Sequence, residues 1–183
     1  MTTSLEESAR LAGSHVWLER RLFEILGGWV ATTPEPEAKL LLDRHSHHHA
    51  WRARQWSDRL PVLADVDRAA LEATPDPVLG PAIAMLAVGS DSQPAPDTRT
   101  AARLAAVYRF ALPRMWASYD RHRSVAGPTA DGSTLRTLGI VTADVTADWQ
   151  EGEALLQNLL VGPEAVATAA RTVEELEASL LRA

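Results

Sequence analysis

The sequence predicts an all-α protein: two helical hairpins joined by a long crossover, followed by one C-terminal helix. Three observations carry this. Apolar residues recur at spacings of three and four along four long stretches and one shorter one. No run alternates in the manner of a strand. Pairs such as Gly127-Pro128 and Gly162-Pro163 fall between the periodic stretches, as punctuation does. A chain of 183 residues is long enough for a full core, and the whole of 1–183 reads as one domain.

The first stretch runs from about Ser4 to Trp29, with Leu11, His15, Leu18, Leu22, Ile25 and Trp29 on one face. Gly27-Gly28 weakens its end, and Thr33-Pro34-Glu35 is a start signal for the next helix. That second helix is predicted from about Pro34 to Leu60, stopped by Pro61. Its inward face reads Ala38, Leu42, His45, His49, Ala53, Trp56 and Leu60, with His48 and Arg52 at the edge and His47 on the far side.

From 61 to 97 the pattern breaks into a crossover carrying two short helices, about Asp65–Glu72 and Pro77–Val88, the latter opened by Asp76-Pro77. A third long helix follows from about Thr98 to Arg123, with Pro113 expected to kink it. The fourth runs from about Asp131, a candidate cap, to Val161, with an acidic edge of Asp144, Asp148 and Glu151 beside its apolar stripe. Gly162-Pro163 ends it and opens the last helix, 163–182.

Composition narrows the function. A net charge of −6 argues against nucleic acid as a partner. The chain has no cysteine, which removes disulfides, thiolate metal sites and cysteine nucleophiles and suits a cytoplasmic setting. No apolar run is long enough for a membrane span, and the polar N-terminus is unlike a signal peptide. Glycine-rich phosphate loops, G-x-S-x-G and H-E-x-x-H are all missing.

What remains is the stretch Leu41–Trp56, which holds four of the six histidines. His45 and His49 sit at i,i+4, a spacing that lets two imidazoles share one metal ion. Counted from a hairpin turn near residue 32, His15 and His49 lie at the same height, so His15, His45 and His49 are expected to converge. Glu19, Asp144 and Asp148 are the candidate carboxylates, and such a set suits iron, manganese or zinc. Alternatively, core-facing histidines are simply hydrogen-bonded to a neighbouring helix. A second constellation, Arg52, Trp56, Tyr108, Tyr119, Arg136 and Asp144, reads either as interhelical salt bridges or as a pocket for a small acidic or aromatic molecule.

The helix order, the crossover and the histidine-bearing second helix resemble the ferritin-like superfamily, over most of the chain. That resemblance implies a four-helix bundle and, in di-iron members, a glutamate from helices one and three and a Glu-x-x-His pair from helices two and four. This chain departs from the pattern: the nearest spacing in helix two is His45-x-x-His48, helix four has no histidine, and helix three offers only Asp120. Three functions are therefore expected in turn: a ferritin-like bundle whose histidine-lined interior binds a small molecule without a di-iron centre, a metal-dependent oxidase or hydroxylase with a non-standard ligand set, and a dimeric interaction scaffold. Trp17, Trp51 and Trp116 fall off the stripes and are candidates for a homodimer surface.

Overall fold

A computed structural model describes residues 4–62, 66–73, 79–89 and 98–181. Among them the chain is all-helical, with seven helices and no strand. They are α1 (Leu5–Val30), α2 (Pro36–Ser57), the single turn α3 (Arg68–Leu71), α4 (Leu79–Gly89), α5, α6 (Gly132–Leu159) and α7 (Pro163–Leu181). The helix α5 is continuous through three stretches: Arg99–Ala105, a π-helical run Ala106–Ala111, and Leu112–Val125.

Local chemistry sets most of the ends. Ser4 caps α1, its hydroxyl accepting from the Glu7 amide at 3.2 Å. The Thr33 hydroxyl turns back to the Trp29 carbonyl at 2.8 Å, so it closes α1 rather than opening α2. Consequently α2 starts at Pro36 behind Glu35, two residues later than the sequence suggests. Asp131 precedes α6 without capping it; its carboxylate accepts instead from the Gly127 amide at 2.7 Å and ties the α5–α6 turn. Gly162 has φ +86°, a left-handed conformation that a glycine adopts without strain, and it separates α6 from α7. The Asp65 and Asp76-Pro77 starts expected in the crossover lie outside the described residues.

Pro113 produces a π-helical run rather than a simple kink. Without an amide hydrogen, Pro113 cannot continue the α-helical ladder, and the turn just before it is wound wider, the Leu112 amide bonding to the Val107 carbonyl five residues back. The widened turn carries Tyr108 into the interior against Gly152 of α6, where a Cβ would stand only 2.2 Å from the tyrosine ring. Only glycine leaves room for that ring.

Packing follows the apolar faces. α1 and α2 form a hairpin, α1 also touches α5, α2 touches α6, and α6 touches α5. Side-chain pairs give the directions. His15 meets His122 and Glu19 meets Tyr119, so α1 and α5 run antiparallel. Arg44 meets Glu151 and Arg52 meets Asp144, so α2 and α6 run antiparallel. His45 meets Tyr108 and Trp56 meets Tyr119, so α2 and α5 run parallel. Leu22, Leu26, Leu42, Leu104, Leu112, Met115, Val145 and Leu156 fill the centre with essentially no exposed surface. The turn α3 lies directly on α1 at Gly13, where a Cβ would come within 2.0 Å of the Leu71 carbonyl oxygen. α7 covers α4 and the first half of α5.

Candidate metal centre

A continuous chain of polar side chains runs through this apolar interior. Burying charge is costly unless each group is paired, so their partners define what the site can do. At one end, His15 of α1 lies 3.1 Å from His122 of α5, Nε2 to Nδ1, in an aromatic box with Trp56 and Tyr119. Burial, reinforced by the neighbouring His122, pushes the His15 imidazole well below its usual range, and burial lowers His122 as well.

One turn further along α1, Glu19 is fully buried and accepts hydrogen bonds at both oxygens. Tyr119 Oη and Arg52 Nε (3.0 Å) donate to Oε1, and His49 Nδ1 donates to Oε2 at 2.5 Å. Burial alone would raise the Glu19 carboxyl, but the Arg52 charge and its hydrogen-bond donors overcome this and hold it below its usual value. Because Nδ1 of His49 already carries the proton shared with Glu19, the Arg52 Nη2 atom 3.0 Å away is a close neighbour and not its donor. Arg52 Nη1 reaches across to α6, donating to Asp144 and to Asp148 Oδ2 at 2.7 Å. The guanidinium has no exposed surface and stays charged; burial disfavours its charge, but Glu19 and Asp148 more than compensate.

The other oxygen of Asp148 faces two imidazoles. Its Oδ1 lies 2.7 Å from His48 Nδ1 and 3.4 Å from His45 Nε2, and Glu151 Oε2 lies 3.2 Å from that same His45 nitrogen. On its far side, His45 Nδ1 meets the Tyr108 hydroxyl at 2.8 Å. The two imidazoles stack with centroids 5.6 Å apart. Among the described residues, His45, His48 and Asp148 are the one group of three whose donor atoms all lie within 4.8 Å of one another. Burial lowers His45 more than its acidic neighbours raise it, leaving the neutral imidazole that can ligate. Asp148 is held ionised: burial raises it, but His45 and Arg52 lower it further.

The metal ligands expected from sequence thus divide between three places. His45 and Asp148 stand together. His49 and Glu19 pair with each other, and His15 pairs with His122. Height along the hairpin placed His15 opposite His49, but the residue that meets His49 is Glu19, while His15 is turned to α5. Of the expected pocket residues, Arg52, Trp56, Tyr108 and Tyr119 are fully buried, each bonded within the network, and Asp144 joins them at its rim. Arg136 is exposed. Sequence reasoning named His48 at a helix edge and Glu151 on an acidic edge but did not count either among the ligands. Their signal is an i,i+3 pair on each of two facing helices, His45-x-x-His48 against Asp148-x-x-Glu151. The chain matches no protein-family model, no curated protein and no solved structure.

Proposed function

We propose that this protein binds one divalent transition-metal ion between α2 and α6, through His45 Nε2, His48 Nδ1 and Asp148 Oδ1, with Glu151 at the rim. The observation that carries this reading is the convergence of three donor atoms, two from buried side chains and one from the partly exposed His48, between α2 and α6. Charge supports it. Glu19, Asp144 and Asp148 face one guanidinium, that of Arg52, and His45 and His49 are neutral at pH 7, so the network is short of positive charge. Two imidazoles with carboxylates suit zinc, manganese or iron.

The residues fit such an ion chemically. Tyr108 hydrogen-bonds the outer nitrogen of His45, the position from which a second partner fixes the tautomer of a ligating histidine. Without metal, His45 Nε2–H donates to Glu151 and Nδ1 accepts from Tyr108; a ligating Nε2 requires the proton on Nδ1, with Tyr108 accepting. A bound ion would supply Lewis acidity or, if iron or manganese, one-electron chemistry. The His48 side chain is 37% exposed and that of Glu151 52%, so a small molecule would approach along this edge between α2 and α6.

The helix directions support a ferritin-like arrangement in which helices one, two, three and four are α1, α2, α5 and α6. In that reading α2 contributes His45-x-x-His48 where di-iron members carry Glu-x-x-His, and α6 contributes Asp148-x-x-Glu151. Metal analysis of untagged protein, stripped with chelator and reloaded with zinc, manganese or iron, tests the proposal. One tightly held ion per chain is expected, lost in both His48→Ala and Asp148→Asn. A protein that retains no ion at micromolar free metal, or one whose binding is unchanged by these substitutions, would refute it.

A further inference from the structure

Of the three tryptophans that fall off the apolar stripes, Trp17 packs partly buried against the core, whereas Trp51 and Trp116 are 43% and 36% exposed. Exposed apolar side chains that cluster mark contact surfaces, and tryptophan is enriched there. The two exposed rings stand on either flank of α6. Trp51 lies two turns beyond Arg44, on the edge of α2 from which Arg44 reaches Glu151. His48 meets Asp148 and Arg52 meets Asp144, which puts Trp51 level with Val145. Arg109 meets Glu153 and Arg123 meets Thr142, which puts Trp116, midway between them on α5, close to the level of Ala147. Between the two rings, α6 turns outward Arg136, Ile140, Ala143, Ala147, Gln150 and Ala154, all of them exposed. Ala143 and Ala147 are short enough to let another helix approach to about 8–10 Å between axes.

The charges on the same surface reverse sign about Trp51. Arg44, Trp51 and Asp58 follow at seven-residue steps, about two turns each, so they form one line along α2 with a cation at one end and an anion at the other. Asp58 and Arg136 are exposed and make no ion pair among the described residues. A line of this kind matches itself when turned end for end.

We propose that the protein forms a symmetric homodimer through this face, with α6 packed antiparallel on the partner's α6 and the two-fold axis level with Val145. In this contact Ala143 packs on the partner's Ala147, Trp51 meets the partner's Trp51, and Arg44 meets the partner's Asp58. Arg136 lies over the partner's Ala154, between the partner's Glu151 and the partner's Glu153. A two-fold contact uses the same patch on both copies, and this patch brings tryptophan to the axis and opposite charges to both ends. The inference does not depend on a bound metal. Because His48 and Glu151 lie along the same edge, the dimer also screens the open side of the proposed metal position.

Sedimentation velocity of full-length, untagged protein tests this, with chelator present so that no ion bridges the copies. The expected species has twice the 19.9 kDa mass of the chain. Trp51→Ser and, separately, Ala147→Arg are expected to weaken dimerisation by about 30-fold or more. Both positions are exposed, so the helical circular dichroism should be unchanged. If Trp51→Ser does disturb folding, Ala147→Arg decides. The register has its own test. Arg44→Asp alone sets like charges against each other at both ends of the contact, and so does Asp58→Arg alone; each is expected to run as a monomer. Mixing the two variants pairs opposite charges at both ends and is expected to restore the dimer. A parent protein that stays monomeric throughout the micromolar range overturns the proposal. So does a dimer that Ala147→Arg leaves intact, because the contact then lies elsewhere. Single charge variants that dimerise like the parent, or a mixture no more dimeric than either alone, overturn the antiparallel contact.

Discussion

Gly152→Ala is the most direct test of how α5 and α6 hold the site. An added Cβ would stand 2.2, 2.3 and 2.4 Å from three atoms of the Tyr108 ring, where carbon contacts prefer about 3.5–4.0 Å. The ring has no exposed surface, so it cannot swing out into solvent. It must shift by about 1 Å or more, and that breaks its 2.8 Å bond to His45. Overpacking of this kind costs about 1–3 kcal/mol and the lost buried hydrogen bond about 1 kcal/mol. Exchanging glycine for alanine in a helix returns about 1 kcal/mol. The net expectation is a loss of about 1–3 kcal/mol, or a melting temperature lowered by about 2–12 °C for a chain of this size. Urea and thermal unfolding of Gly152→Ala, Tyr108→Ala and the double variant provide the assay. With the ring gone, Gly152→Ala should stabilise by about 1 kcal/mol, giving a coupling energy of about 2–4 kcal/mol. A single Gly152→Ala variant as stable as the parent, or more so, would falsify the packing described for Tyr108.

Other perturbations reach other parts of the network. Glu19→Gln removes one of the three carboxylates facing Arg52 while Asp144 and Asp148 stay paired with it, and is expected to cost about 1–3 kcal/mol in urea unfolding, through the weakened charge-assisted hydrogen bonds from Arg52, His49 and Tyr119. Tyr108→Phe should cost only about 0.5–1.5 kcal/mol of stability yet weaken metal affinity by about 10–100-fold, a split visible by comparing unfolding with metal titration. Metal-free protein should be equally stable between about pH 7 and 9, then lose stability as pH falls below about 6.5. The unfolded chain takes up protons there while His15, buried and lowered, does not; His15 alone accounts for about 1.4 kcal/mol per pH unit until its own folded value is reached. A second decline should follow below about pH 4.5, as Glu19 and Asp148, both held low in the folded state, resist protonation. Flat stability between pH 7.5 and 5.5 would contradict the buried histidine assignments.

Helical periodicity carries far because burial on a helix repeats with its pitch. Ala38, Leu42, His45, His49, Ala53, Trp56 and Leu60, read as one inward face, are all buried, and His47, read as outward, is exposed. Periodicity says less about residues at the edge of a stripe. Arg52 and His48 both lie there; the first is wholly buried because three carboxylates meet it, the second only partly. Whether an edge residue turns inward is decided by groups on other helices, which a single helix's phase does not contain. The same holds for His15: its height along α1 is readable, but not that His122 awaits it on α5. Pro113 was readable as a disturbance, whereas the π-helical form it takes depends on the space left by Gly152, some forty residues on.

The polar chain draws on α1, α2, α5 and α6, and this bears on how the two halves of the chain come together. Within α1 and α2 alone, Glu19, His49 and Arg52 already satisfy one another, so that hairpin can close its charges before the rest of the chain arrives. Asp144 and Asp148 on α6 find Arg52, His45 and His48 only when the second half docks. Sliding one half by a single turn would leave two carboxylates against hydrocarbon, whereas apolar faces alone tolerate such a slip at little cost. The charged seam therefore acts as a key that admits one alignment of the two halves.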